Sequence, residues 1–306
     1  MANPLTSTQF VRLLDKRLRE VSENRFNELP SMLGDVYSMM SSDGAWEEFF
    51  EIGSLPDIPE FNGQLTYLSI APGYHKKIEP KEYAAGLQFE RKLLDDKKYA
   101  VLDGRASALS ASFQRTREKF GAKLFTNAFT GSFDFMTSEE GVALCSNSHT
   151  TKSGTSTSTG FDNLITSALS KTSVAAARIA MRGFRNDISE RIDINPDELW
   201  VPDNLADTAM EIVGSQKDPD SANNTINPQY KRFTVKVWPR LDDDDTNNWF
   251  MCDSSLRKQS AVWIDRVKAE VENMPDFETK MLKHSVYGRF AYGWLFWQFM
   301  LGSQVS

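Results

Sequence analysis

Apolar positions along this chain recur at two periods, and the switches between them mark the elements. Phe10, Leu13, Leu14, Leu18 and Val21 fall three and four residues apart among charged positions. That spacing predicts an amphipathic helix within residues 5–40, punctuated by Pro30 and Gly34. The stretch reads either as a surface helix or as an arm laid on another chain. From Trp46 to Leu94 the pattern changes to partial alternation broken by Pro56, Pro59, Gly63, Pro72, Gly73 and Pro80, which predicts strands joined by turns. Outside Phe49–Phe50 this segment has few consecutive large apolar residues. A long hairpin with so little core of its own is marginal in water and needs a partner.

The helical period returns at residues 95–130. Tyr99, Leu102, Ala106, Leu109, Phe113, Phe120 and Leu124 hold one stripe, and about 30 residues at ~1.5 Å each predict a rod of roughly 45 Å. Residues 146–160, SNSHTTKSGTSTSTG, have the composition of a flexible linker or loop. A helix is expected over 161–184, with Asp162 as N-cap and Leu164, Ile165, Ala168, Leu169, Ala176, Ile179 and Ala180 buried. Leu199–Val201 reads as a short buried strand ended by Pro202, with Asp203 or Asn204 capping the next helix. Residues 231–252 read as an antiparallel pair turning at Asp242–Asp245. Residues 260–301 add strands with a turn around Asn273–Phe277. Helices and strands mix without a βαβ beat, so the class is α+β.

Composition narrows the function. The 306 residues suffice for one large domain or two smaller ones, and 40% hydrophobic with 25% charged is ordinary for a globular chain. The net charge of −7 argues against a sequence-specific DNA binder, because such affinity comes largely from neutralising phosphates. The apolar run Val286–Gly302 is short for a membrane span and carries Arg289 and Gln298, so it reads as core strand, and no membrane partner is expected.

Candidate chemistry is sparse. Cys145 and Cys252 form no CxxC pair and no metal spacing, and His75, His149 and His284 share no common spacing. Cys145 and His149 stand four apart and invite a nucleophile–base reading, but nothing nearby is identifiable to orient the histidine. Gly154–Gly160 lacks the ending of a phosphate loop. The acidic run Asp242–Asp245 lacks the spaced ligands of a calcium loop and reads as a solvated turn. No catalytic, cofactor or metal site is expected.

Three stretches carry a family resemblance. Trp46–Tyr99 followed by the long helix is similar to an extended hairpin, or E-loop, leading into a spine helix. Gly141–His149 reads G-x-A-L-C-S-x-x-H and Pro196–Leu205 reads P-D-x-L-x-V-P-x-x-L, both similar to Mu-like heads. The ending YGRFAYGWLFWQFMLGS resembles the aromatic final strand of the same group. The chain therefore resembles tailed-bacteriophage major capsid proteins of the Hong Kong 97-type fold, most closely the Mu-like major head subunits, over roughly residues 46–303.

That resemblance implies an N-terminal arm (1–45), an E-loop with adjoining strands (46–94), and a peripheral domain on the spine helix (95–159). It also implies an axial domain (160–256) and strands returning through the peripheral to the axial domain (257–306). It implies a structural protein that assembles with itself as pentamers and hexamers of an icosahedral shell around double-stranded DNA. Cement, portal and separate scaffold proteins are implied as further partners, with DNA touched only non-specifically. The place implied is the virion, assembled in the host bacterial cytoplasm. No residues match the lysine–asparagine pair that welds some relatives, so no crosslink is expected. The contact residues expected are Phe49, Phe50 and Ile52 under the hairpin, Glu60, Lys76 and Lys77 on it, and Asp276, Glu278 and Lys280 in the peripheral turn. The alternatives are another phage structural protein (decoration, tail or portal-associated) or a Cys145/His149 hydrolase.

Overall fold

The computed structural model describes residues 7–217, 226–276, 278–279 and 281–305, the side chains of 7–15 and 94 apart. It opens with α1 (Ser7–Glu28) and the single turn α2 (Leu33–Val36), then β1 (Ser38–Ser41), β2 (Glu47–Ile52), β3 (Pro72–Ile78) and β4 (Lys81–Glu90). The short helix α3 (Arg91–Asp95) leads into the long helix α4 (Tyr99–Thr126). There follow β5 (Met136–Ser138), β6 (Leu164–Ile165), α5 (Lys171–Met181), β7 (Glu198–Val201), α6 (Ala206–Gly214), β8 (Thr234–Val237) and β9 (Trp249–Cys252). The chain closes on α7 (Ser254–Ser260), β10 (Ala261–Pro275), β11 (Met281–Trp294) and β12 (Met300–Ser303).

These strands form three sheets. A long sheet runs β1-β10-β11-β4, a five-stranded sheet runs β6-β12-β9-β7-β8, and a small one runs β2-β3-β5. The 15 residues of β10 make the long sheet about 50 Å from end to end, at ~3.4 Å per residue. The 28 residues of α4 lie along it as the sequence period predicts, with Leu102, Ala106, Leu109, Phe113 and Leu124 buried. Its two ends serve different sheets. Phe113 and Phe120 meet Phe290 of β11 edge-on, at 6.2 and 5.8 Å between ring centroids. One turn further, Phe125 stacks on Trp200 of β7 at 5.0 Å and meets Phe250 of β9 at 5.2 Å. One continuous core thus runs from the long sheet into the five-stranded one along a single rigid helix.

Gly121 makes the junction with α2 possible. A Cβ there would sit 2.1 Å from Leu33 Cδ2, and the Gly121 carbonyl accepts a hydrogen bond from Tyr37 Oη at 2.7 Å. The N-terminal segment is held again by Arg257, which is buried. Its Nε and Nη2 donate to the two oxygens of Glu198 at 2.9 Å each, and its Nη1 donates to the Asp35 carbonyl at 2.6 Å and to that of Val36. Trp200 Nε1 donates to the same Glu198 carboxylate at 2.9 Å.

Several expected boundaries move. The helix expected over 161–184 is α5 alone, preceded by the short strand β6. Ser170, not Asp162, is its N-cap, in a reciprocal capping box with Ser173. The buried face of α5 is carried by Val174, Ala177 and Met181, and Ala168, Ala176 and Ile179, expected to be buried, are exposed. Neither Asp203 nor Asn204 caps α6 with its side chain, because a 3₁₀ turn at Asp203–Leu205 supplies the entry. The strands expected to pair across residues 231–252 are separated by β7, parallel to β8 and antiparallel to β9. All four β7 residues are buried, and such a strand is satisfied only with a neighbour on each side. The apolar run at Val286–Gly302 is two strands in two sheets, broken between Trp294 and Met300. The Ser/Thr tract is irregular but tied down: Ser153 Oγ donates to the Asp187 carbonyl at 2.6 Å, and Lys152 Nζ lies 2.7 Å from Glu139.

Candidate assembly surfaces

Strands β2 and β3 leave the body as a hairpin whose two faces differ. Phe49 opposes Lys76, and Phe50 opposes His75. The period of two sends the first pair inward and the second outward. Phe49 is half-buried against the core, whereas Phe50 is exposed and stacks on His75 at 6.0 Å. The sequence sets Lys76 and Lys77 together as contact residues, and the alternation separates them. Lys76 is a correction: it is buried, with Nζ 2.7 Å from the Leu295 carbonyl and 3.4 Å from the centre of the Trp294 ring. Burial pulls its ammonium down to about 7, against the opposing pull of Glu140 and Glu51. It is therefore an internal tie at the root of the hairpin, not a surface group. Lys77 points the other way, over the Trp46 ring at 4.3 Å.

Beyond the hairpin root, residues 53–71 form a loop without regular structure. Two hydrogen bonds close its base, Gly53 N to the Ala71 carbonyl at 3.2 Å and Ser54 N to Asp187 Oδ1 at 2.9 Å. Among the described residues no hydrogen bond fixes residues 55–70 to anything. Yet the loop is apolar: Ile58 is 89% exposed, Phe61 68%, Leu65 70% and Tyr67 92%. Ile52 and Leu55 continue the series, and Glu60 is exposed among them. A soluble monomer rarely shows so long a run of bare large apolar side chains, and such runs mark protein–protein contact surfaces. Ile52, Phe50 and Glu60 were legible as candidates from sequence. Leu55, Ile58, Phe61, Leu65 and Tyr67 fall in no motif or period, although their density between prolines and glycines is a usable signal.

At the far end of the long sheet, β10 ends at Pro275 and β11 starts at Met281. Lys283 Nζ lies 2.8 Å from Asp276, and this hydrogen bond holds the Asp276 carboxyl down at about 2. Glu278 is exposed beside it, and its N–H donates to Asp276 Oδ1 at 3.1 Å. Lys280 and Phe277 lie outside the described residues, as do the side chains of Phe10, Leu13 and Leu14.

The Cys145/His149 pair is not a nucleophile and its base. Cys145 is buried, burial pushes its thiol up, and its Sγ sits under Gly302. His149 is buried and engaged elsewhere. Its Nδ1 lies 3.0 Å from Glu140 Oε1, its Nε2 lies 3.2 Å from Asn163 Oδ1, and its ring stacks on Trp297 at 4.4 Å. Asn163 in turn donates to the Leu144 and Met300 carbonyls at 2.8 and 3.0 Å. The G-x-A-L-C-S-x-x-H stretch is thus a latch that pins β12 beside β6. Asp242 in the acidic run accepts from the Asp203 N–H at 2.8 Å, which gives that run a structural role. Among the described residues no group of His, Cys, Asp and Glu is arranged to hold a metal ion, and no helix is long and apolar enough to cross a membrane.

Comparison with curated proteins finds no match in sequence. Solved structures share the fold at low identity. The capsid of an empty GTA particle aligns at 11% identity over 91% of each chain, with a TM-score of 0.57. The capsid of cyanophage P-SCSP1u aligns at 12% over 90% of this chain and 88% of that one, with a TM-score of 0.57. The bacteriophage JBD30 capsid aligns at 18% over 70% of this chain and 91% of that one, with a TM-score of 0.53. A family model described as phage capsid protein matches residues 75–301, from the second hairpin strand to the last. The chain belongs to this phage capsid protein family: it is a major capsid protein of the Hong Kong 97-type fold, a structural subunit of an icosahedral shell.

Proposed function

We propose that this chain closes its shell by meeting copies of itself in pentamers and hexamers, with the hairpin and loop of residues 46–71 reaching over a neighbouring subunit. The observation that carries this reading is the bare apolar loop at residues 53–71 on a hairpin rooted by the buried Lys76. Side chains of that size gain stability only when something covers them. In a closed shell the cover is another copy of the same chain, through a heterologous contact that closes into a ring. Phe50, Ile52, Glu60 and Lys77 belong to this contact, and Asp276 and Glu278 to a second one at the end of the long sheet.

On this reading residues 1–45 are the N-terminal arm and 46–94 the E-loop with adjoining strands. Residues 95–159 belong to the peripheral domain, 160–256 form the axial domain, and 257–306 return through the first into the second. The sheets support that division, since the five-stranded sheet takes four strands from the 160–256 segment and one, β12, from the C-terminal end. Kinship with Mu-like heads rests on the two short patterns and the aromatic ending. Packaged double-stranded DNA, cement, portal and a separate scaffold are the further partners, and assembly takes place in the host cytoplasm.

Negative-stain electron microscopy of the purified chain and of its native particle tests the reading. Closed shells, or five- and six-fold rings of this chain, are the expected result. A native particle whose wall is built mainly of another protein would overturn it.

A further inference from the structure

The solvent-facing arc of α4 is charged in one sign only. Arg105, Arg115 and Lys119 are all exposed, with Ala108 between them and Val101 one turn before Arg105. At about 100° per residue they fall within an arc of roughly 80°, and at ~1.5 Å per residue they span about 21 Å of the helix. The two acidic residues of α4 are both turned away. Glu118 is buried and accepts from Ser31 Oγ at 2.6 Å, and Asp103 lies about 160° round the helix from Arg105, bonded to Arg17 at 2.6 Å. The other cations of the helix are used internally, Arg117 on Asp265 at 2.8 Å and Lys123 on Asp134 at 2.8 Å. Among the described residues Arg105 and Lys119 have no ion-pair partner, and Arg115 meets only the Ser112 hydroxyl, at 3.2 Å.

A merely solvated helix face interleaves both signs, because i,i+4 pairs of opposite charge add helix stability. Here Arg115 and Lys119 stand four apart with the same sign, an arrangement that lowers helix stability. The net charge of the whole chain is −7, so a cationic stripe on the longest helix runs against the average. We infer that Arg105, Arg115 and Lys119 form a contact stripe for the phosphate backbone of double-stranded DNA. A duplex carries one negative charge per about 1.7 Å of its axis, so phosphates are available along the whole stripe, and none of the three side chains reads a base. The stripe deepens the shell reading above and rests on it for the source of the DNA, but it is measurable on its own.

The test uses the full chain and a labelled DNA duplex of mixed sequence, titrated by fluorescence anisotropy at several salt concentrations. Three phosphate contacts predict a slope of about −2.7 in log affinity against log salt, a weakening of roughly 40-fold between about 50 and 200 mM. The triple variant Arg105→Gln, Arg115→Gln, Lys119→Gln is expected to bind more weakly, with a slope shallower by about that amount. Equal affinity and slope for the two proteins would overturn the inference. So would binding of an acidic polypeptide such as polyglutamate to the stripe with no binding of DNA. Electron microscopy of the triple variant runs in parallel. Shells that form normally with a lost salt slope support the stripe, whereas failure of the unaltered chain to assemble counts against the shell reading and leaves the DNA measurement standing.

Discussion

Replacing Ile58, Phe61, Leu65 and Tyr67 together by serine is expected to abolish shell assembly while leaving the thermal unfolding of the subunit where it was. The two outcomes separate because these side chains are bare in the isolated chain and touch none of its core. Surface substitutions of that kind change subunit stability by no more than about 0.5 kcal/mol each. On assembly the balance differs. Full burial of a large apolar side chain is worth about 1.5–3 kcal/mol, so four give roughly 6–12 kcal/mol per loop before the costs of association. Each subunit contributes one loop, so the loss is repeated at every contact of the shell. Circular dichroism melts and sedimentation velocity of the variant check the two halves. Normal shells from the variant would mean that the loop is not what holds neighbours together.

The second large effect falls on the fold itself. Arg257→Ala is expected to destabilise the subunit by about 3–5 kcal/mol, because it leaves the Glu198 carboxylate buried without its cation. The carbonyls of Asp35 and Val36 lose their donor in the same step, so the N-terminal segment loosens from α7 and β7 together. Lysine is a poor replacement, since a single ammonium does not reproduce the two parallel bonds to Glu198 together with the two to backbone carbonyls. The double variant Arg257→Met, Glu198→Leu is expected to recover part of the loss, because it removes both buried charges. Denaturant unfolding of the single and double variants measures this. A loss under about 1 kcal/mol for Arg257→Ala would show that the pair contributes little.

Much of this fold is visible in the chain. The stripe from Tyr99 to Leu124 is long enough for its period to settle the helix, and α4 follows it nearly residue for residue. Alternation around Phe233, Val235 and Val237 likewise marks β8. What the chain hides is partnership between distant segments. Nothing local to residues 231–252 says that β7 slides between β8 and β9, because a strand's neighbours are chosen by the whole sheet. The start of α5 is not legible locally, because Asp162 and Ser170 are equally good caps, and only the pairing of β6 with β12 decides between them. The burial of Lys76 is hidden for a related reason. A lysine in a hairpin reads as surface, and its burial depends on Trp294 and the Leu295 carbonyl, more than two hundred residues away in sequence. The loop residues Ile58, Phe61 and Tyr67 carry no periodic signal, and their exposure becomes meaningful only once the core is known to be complete without them.

The most direct test of the central claim is a cryo-electron microscopy reconstruction of the assembled particle at side-chain resolution. The expected map shows residues 53–71 of each subunit lying on an adjacent subunit, with Ile58, Phe61, Leu65 and Tyr67 buried between the two chains. A map in which this loop stands free in solvent, with subunits joined elsewhere, would contradict the account.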